Sequence, residues 1–420
     1  MVVRLTRSLI NQDHLTHSSN RRKSPLSHVN RLFHEMELVW LQGLYLLPAI
    51  PLAFLGYGSD NDIYQELDAS RLTWMQGIPS MSRHPGYWLH ESLIFVLNRA
   101  GGSLLINIVT MLVSALVLCR FWKIASRLNI QWRLPLALCL AWNPWFLIAS
   151  TSGIDYVWAL LFIVLSIEAQ VSGNSLRAGL LGGLATGFRL GSIFTLTGAY
   201  LGIIFSQGSV RPTRHFMTAA CIASVVGLLF YVPSWETVGR NLSFLQGHLG
   251  DQSYWTPKMH VGRALYMPLF LMGIIADIYV LILAVLSYRN ALAALHDARG
   301  LIRASIGAVI ATLILFAWYP IEYSYLLPAL PFLLLVIGSI IQPLGSWQPW
   351  GLVLASVSFW FLSFALATPN VAGKASDATP GVHVERGILL NDIKERRQVI
   401  GCDSLRCYDT KSENARTNGE

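Results

Sequence analysis

Runs of about 20 apolar residues, the length that crosses a bilayer, recur from Leu38 to about Leu366 with polar or proline-rich breaks between them. Lipid offers no partner to a peptide group, so such runs fold as helices that satisfy their own backbones. Weighing the apolar runs against arginine and lysine gives eleven spans, near 38–56, 103–122, 134–150, 155–171, 177–188, 190–206, 216–233, 265–287, 304–319, 326–342 and 350–366. The chain is 53% hydrophobic and 13% charged, against roughly 25% charged residues in an ordinary soluble domain. The expected fold is all-α: a polytopic membrane helix bundle of about 11 transmembrane helices, whose first outer loop carries short interfacial helices.

The net charge of +8 is distributed as a membrane protein distributes it. Arg4, Arg7, Arg21, Arg22, Lys23 and Arg31 precede the first span, and Arg120, Lys123, Arg127 and Arg133 fill the next loop but one. The positive-inside rule assigns both segments to the cytoplasm, which accounts for the charge without a nucleic-acid partner. The first apolar run is long enough to span and no A-x-A-like cleavage site follows it, so it reads as an anchor and not a removable signal. Residues 176–205 are read as two short helices meeting at Gly187–Gly191, because one long helix would put Arg211, Arg214, Arg289, Arg299 and Arg303 outside. The resulting organisation is a cytoplasmic tail over 1–36, a membrane domain over 37–366 with outer loops near 57–102 and 234–264, and an outer tail over 367–420. Trp132, Trp142, Trp145, Trp235, Trp255, Trp347 and Trp350 fall near span ends, as an interfacial belt does. Cys119, Cys139 and Cys221 lie in apolar runs as small buried hydrophobes. Cys402 and Cys407 share the polar tail, where an outer location permits a disulfide. The tail holds one stretch, ERGILLNDIKERRQVIG, able to form an amphipathic helix, but too few apolar residues for a folded domain.

Chemistry concentrates in the first outer loop, YGSDNDIYQELDASRLTWMQGIPSMSRHPGYWLHE. Asp60, Asp62, Glu66 and Asp68 crowd the span end, and Arg83 and His84 precede Pro85 and Gly86. Carboxylates at a membrane boundary can take a proton from an attacking hydroxyl or bind a cation, while a neighbouring basic group holds a phosphate. The plainer account is a solvated loop, with Glu66 and Asp68 on the wet face of a short helix. Arg189 lies mid-way along an apolar stretch, where a charge needs a cavity, a partner or a route to the interface. Its guanidinium suits a phosphate, and snorkelling is the alternative. Asp155 opens the fourth span at the same face, and Glu322 sits in the short outer turn YPIEYSY. His90 and Glu91 read as residues flanking an interfacial helix over 87–98. P-loop, Rossmann, metalloprotease and zinc-ligand patterns are missing from the sequence, so any energy for chemistry arrives with a substrate.

Four segments in order resemble the GT-C superfamily, membrane glycosyltransferases that draw a sugar from a polyprenyl-phosphate carrier. Asp60 and Asp62 stand where that superfamily has an acidic motif after its first span. SRHPGYWLHE is similar to the proline-containing end of the same loop, GLLGGLATGFRLGSIFTL to its paired short helices with a basic residue at the junction, and WYPIEYSYLLPALPFLLL to a late span that often reads RYLLPxLP. The resemblance covers about 38–342. It implies Asp60 as catalytic carboxylate, ranked ahead of Asp62 because it lies nearer the span end, and Arg189 as ligand of the carrier phosphate. Beside them, ionisable groups gathered at one face of the bundle suggest a site, and the expected substrate-binding set adds Arg83, His84, Asp155, Glu322 and Tyr325 to Arg189. Two departures stand out: Ser324 occupies the position where the late motif has arginine, and Trp88 stands where a proline follows PGx.

The expected activity is therefore transfer of a sugar from a polyprenyl-phosphate-linked donor to a glycan, lipid or protein acceptor, at the outer face and among membrane lipids. No cofactor is required by the sequence, and an assisting divalent cation is left open. The rival classes are a transporter or flippase, which should tolerate Asp60→Asn better than Arg189→Ala, and a non-catalytic assembly partner, which should tolerate both.

Overall fold

The structure, a computed structural model, describes residues 25–207, 211–241, 257–289, 292–293, 300–320, 323–341, 347–367 and 381–417. In chain order its elements are α1 (Pro25–Ala53), α2 (Asn61–Gln76), α3 (Trp88–Arg127), α4 (Arg133–Ala141), α5 (Pro144–Ser150), α6 (Tyr156–Val171), α7 (Ser175–Phe188), α8 (Ser192–Gln207), α9 (Arg211–Leu229) and α10 (Val232–Thr237). Then follow α11 (Pro257–Tyr266), a 3₁₀ turn (Met267–Phe270), α12 (Ile274–Leu286), α13 (Leu301–Trp318), a 3₁₀ segment (Tyr323–Ala329), α14 (Leu330–Ile340) and α15 (Gln348–Val357). A last 3₁₀ turn (Ser358–Trp360), strands β1 (Leu362–Ala367) and β2 (Gly381–Arg386), and helices α16 (Ile388–Val399) and α17 (Leu405–Thr417) complete the chain. Met1–Trp40 and Leu41–Glu420 are separate compact units, and every site residue described here belongs to the second.

Among the described residues four helical stretches are long and apolar enough to cross a membrane: Glu35–Ala53, Trp88–Arg127, Leu301–Trp318 and Tyr323–Ile340. The pair His260–Phe270 and Ile274–Leu286, bent by 74°, makes a fifth if it is one broken span. Tyr156–Val171, Ser192–Phe205 and Arg214–Leu229 are shorter apolar helices. Large apolar side chains stand exposed along these helices, among them Leu112, Leu116, Leu281, Val285, Ile310 and Ile314. In water such stripes would be a liability, whereas in an integral membrane protein they face lipid.

Several expected spans are interrupted for local reasons. The run 134–150 is two helices, because the Asn143 side chain accepts from the Trp145 and Phe146 amides and Pro144 starts α5, a strong N-terminal signal. The run 350–366 is a correction: α15 stops at Val357, and Leu362–Ala367 forms β1, paired antiparallel with β2 so that Leu362 faces Arg386 and Ala367 faces Gly381. Within α3 the helical path breaks at Gly101 and Gly102, the latter at φ 60°, ψ −154°, a region open essentially to glycine. Residues 176–205 do form two helices, α7 and α8, which part at Arg189.

Small residues let the helices approach closely. A Cβ on Gly198 of α8 would collide with the Gly307 carbonyl of α13, and one on Gly202 with the Arg303 carbonyl. Along α7, Gly179 and Gly183 do the same against Ile222 and Val226 of α9. Gly198→Val is accordingly expected to cost about 1–3 kcal/mol by overpacking. Thermal unfolding of the detergent-solubilised protein should show a lowered midpoint, and an unchanged one would contradict the α8–α13 contact.

The C-terminal tail, expected to lack a folded domain, is packed over 381–417 against the helices that precede it. Its Cys402–Cys407 pair is a disulfide. Val399 and Cys402 join Tyr57, Ile63, Tyr64, Leu67, Ile94 and Ile106 in one apolar cluster beneath the first loop. Polar ties reinforce the contact: Arg71 pairs with Asp403 at 2.9 Å, the Leu405 amide donates to Asp68 at 2.9 Å, and the Tyr408 hydroxyl donates to the Ser59 carbonyl at 3.0 Å. The apolar partners of the tail lie in the loop, hundreds of residues away, so its own composition understates its core.

Candidate active site

Asp60 begins the site as the N-cap of α2. Its backbone is extended (φ −79°, ψ 131°) and its carboxylate accepts from the Asp62 amide at 3.0 Å, the usual way an aspartate satisfies a helix's first amides. In the first turn of α2, Asp62 forms an ion pair with Arg83. A further turn on, Glu66 is fully buried, 3.1 Å from Arg83 and 2.7 Å from His90 Nδ1. The spacing of 62 and 66 puts both carboxylates on one helix face, and Arg83 from the loop's far end closes over them, its guanidinium 4.6 Å from the Tyr87 ring centroid. Glu91 turns back onto the same loop and accepts from the Ser82 hydroxyl at 2.6 Å and the Ser82 amide at 3.1 Å.

Arg83 also joins this loop to the membrane helices, lying 3.5 Å from Asp155 at the head of α6. Asp155 is fully buried and takes a two-pronged contact from Arg189 Nη1, at 2.9 Å and 3.2 Å. Arg189 is placed by the break between α7 and α8, where its φ of −154° and ψ of 116° turn the chain out of the helix. Its Nη2 donates to the Tyr156 hydroxyl at 2.9 Å, and its guanidinium lies 3.7 Å from the Tyr156 ring centroid and 4.6 Å from that of Tyr325. The Ser324 hydroxyl donates to the same Tyr156 oxygen at 2.5 Å. The result is one continuous polar network, His90–Glu66–Arg83–Asp155–Arg189–Tyr156–Ser324, in which the Asp62–Arg83 and Asp155–Arg189 pairs balance buried charge as a low-dielectric site demands.

Electrostatics separate the two carboxylates. Burial, reinforced by Asp155, Glu91 and Asp60 nearby, pushes the Glu66 carboxyl well above its ordinary value. Asp155, in contrast, is held between two guanidinium groups, Arg189 at 2.9 Å and Arg83 at 3.5 Å. For a carboxyl whose folded-state pKa is raised, the native state is penalised as pH climbs from the unfolded value towards the folded one. Glu66→Gln, which keeps the hydrogen-bonding shape and removes the ionisation, should therefore gain in thermal midpoint over the wild type more at pH 8 than at pH 5. A Gln variant whose midpoint relative to wild type is no higher at pH 8 than at pH 5 would contradict a raised Glu66 pKa.

Beside the network opens a cavity of about 390 Å³. Asp60, Tyr156 and Ser324 are in its wall, together with Arg263 of α11, the aromatic pair Trp145 and Tyr323, and Asn391, Asp392 and Glu395 of α16. Among the described residues of this wall Arg263 is the one basic side chain. Its Nε donates to the Pro320 carbonyl at 2.9 Å. Of the residues singled out in the sequence, Asp60 lines the cavity itself. Arg189 does not, and reaches the wall through the Tyr156 hydroxyl. Asp62, Arg83 and Asp155 lie in the network behind it, Tyr325 lies beneath Arg189, and His84 is exposed. Glu322 falls outside the described residues. Sequence reasoning took Glu66 for a solvated face and His90 for a flanking residue, and passed over Tyr156, Arg263 and the α16 side chains. Of those passed over, Tyr156 alone carried a usable signal, as the neighbour of Asp155 at a helix start. Among the described residues no group of three His, Cys, Asp or Glu side chains is arranged to hold a metal ion.

No protein-family model and no curated protein sequence matches the chain. Its structure is similar to crystal structures of ArnT from Cupriavidus metallidurans. The apo form superposes with a TM-score of 0.50 at 16% identity, and the form bound to undecaprenyl phosphate with 0.51 at 15%. Each match covers 75% of this chain and 62% of the ArnT chain, so this protein spans under two thirds of that neighbour's length. At such identity the likeness speaks for the fold alone. That fold, shared with ArnT, is a polytopic helical membrane bundle.

Proposed function

We propose that this protein is a membrane glycosyltransferase that moves a sugar, a hexose in the simplest case, from a polyprenyl-phosphate donor to a lipid, glycan or protein acceptor at the extracytoplasmic face. The observation that carries the reading is the cavity in which the Asp60 carboxylate and the Arg263 guanidinium share one wall, in a fold whose neighbour ArnT has been crystallised with undecaprenyl phosphate. The placement of basic residues in the loops between spans supports a cytoplasmic N-terminus and an outer site.

The reaction is an inverting displacement. The acceptor hydroxyl attacks the anomeric carbon, a new C–O bond forms there, and the bond to the phosphate oxygen breaks, releasing polyprenyl phosphate. Asp60 takes the hydroxyl proton. Arg263 and the Tyr156 hydroxyl, polarised by its hydrogen bond from Arg189, meet the negative charge that grows on the departing phosphate. Arg263 thereby supplies from α11 the positive charge that the late-span motif would have supplied at Ser324, since both side chains line the same cavity. Buried Arg189 acts on the phosphate through Tyr156 and anchors Asp155.

The test is reconstitution in proteoliposomes with labelled polyprenyl-phosphate hexoses and a mixed lipid and glycan acceptor pool. Label should appear on an acceptor, with one polyprenyl phosphate released per transfer, and Arg263→Ala should raise the donor KM about tenfold or more, as loss of a charged hydrogen bond does. Donor crossing the bilayer uncleaved would replace the reading with a flippase.

A further inference from the structure

Helix α16, in the C-terminal tail, lies outside every segment of the sequence that resembles a transferase, yet it forms a wall of the cavity. It is held there firmly. Arg396, fully buried, donates to the carbonyls of Thr151 at 2.7 Å and Ile148 at 3.2 Å, at the end of α5. It also pairs with Asp392 at 2.7 Å. Asp392 in turn accepts from the Ser59 hydroxyl at 2.6 Å, next to Asp60. One helix therefore touches the residue beside the candidate base and the end of α5 that floors the same cavity.

Beside Asp392 and the apolar Ile388, two further polar side chains of α16 line the cavity: Asn391 and, one turn further on, Glu395. An amide that both donates and accepts and a carboxylate that accepts suit vicinal hydroxyls. Trp145 and Tyr323, also in the wall, stack with centroids 4.8 Å apart and planes 17° apart. They offer a flat apolar surface matching the C–H face of a sugar ring. From this juxtaposition we propose that α16 and the Trp145–Tyr323 pair form the sugar subsite of the cavity, binding a pyranose ring through Asn391 and Glu395. The proposal rests on reading this cavity as the transfer site. The ring belongs either to the donor or to a saccharide acceptor.

Binding measured without turnover separates this proposal from the transfer reaction. The purified full-length protein is titrated with undecaprenyl phosphate, with undecaprenyl-phosphate glucose, mannose and galactose, and with the methyl glycosides of the same sugars. If the ring is the donor's, at least one sugar-linked carrier should bind tighter than undecaprenyl phosphate. Asn391→Ala and Glu395→Gln should then weaken that binding about tenfold while leaving undecaprenyl phosphate unaffected. If it is the acceptor's, the two variants should weaken a methyl glycoside and spare every carrier. Arg397→Ala, on the exposed side of the same helix, should change nothing in either case. Equal binding by wild type and both α16 variants across all seven probes would overturn the subsite, as would weakening of undecaprenyl phosphate itself. A sugar subsite confirmed without any transfer would leave this inference standing and refute the proposed reaction instead.

Discussion

Asp60→Asn is expected to lower turnover by about 10²–10⁴-fold, the range lost when a general base is removed, with little change in thermal stability. The separation of the two effects follows from the geometry. Asp60 caps α2 by accepting from the Asp62 amide, and asparagine caps a helix as well as aspartate does. The helix, its ion pair from Asp62 to Arg83 and the cavity wall should all survive the substitution. What is lost is the ability to accept a proton from an acceptor hydroxyl. Steady-state transfer in proteoliposomes, paired with a thermal scan and a titration with donor, checks all three expectations. Turnover within about threefold of wild type would remove Asp60 from the chemistry and leave it as a cap.

Arg189→Ala is expected to be severe in a different way. Arg189 is the closest counter-charge to Asp155, at 2.9 Å, with Arg83 at 3.5 Å. Breaking a buried pair from one side typically costs about 3–5 kcal/mol, because the remaining charge stays desolvated. Both the yield of folded protein and the turnover should fall. The double variant Asp155→Asn/Arg189→Gln separates structure from function, because it removes both charges together. Stability should recover to near wild type in that protein, whereas turnover should stay low, since the Tyr156 hydroxyl has lost the cation that polarises it. Full recovery of activity along with stability would show that Arg189 serves only to balance Asp155.

The membrane bundle was legible in the sequence because its cause is local: apolar runs of bilayer length must become helices. The break at Arg189 was legible for a related reason, since glycines flank a charge that lipid would not accept. The acidic loop was visible as a concentration of groups, but the roles inside it were not. Glu66 looked like the wet face of a short helix, and it is the buried centre of the network, because His90 and Arg83 approach it from beyond the loop's turn. Helix periodicity says which residues share a face, not whether another segment covers that face. The same limit hid the tail. Arg396 in a basic stretch reads as solvated, yet its partners are backbone carbonyls 245 and 248 residues earlier, which no local pattern announces. Arg263 was missed because α11 offers no motif, and only its position in the cavity wall distinguishes it.

The most direct measurement of the central claim is a cryo-electron-microscopy structure of the Asp60→Asn protein in nanodiscs with an undecaprenyl-phosphate hexose bound. The account predicts the phosphate within hydrogen-bond distance of Arg263 and the Tyr156 hydroxyl, and the anomeric carbon facing residue 60 inside the cavity. A phosphate bound away from this cavity, or a sugar on the far side of the Asp155–Arg189 pair from residue 60, would contradict it.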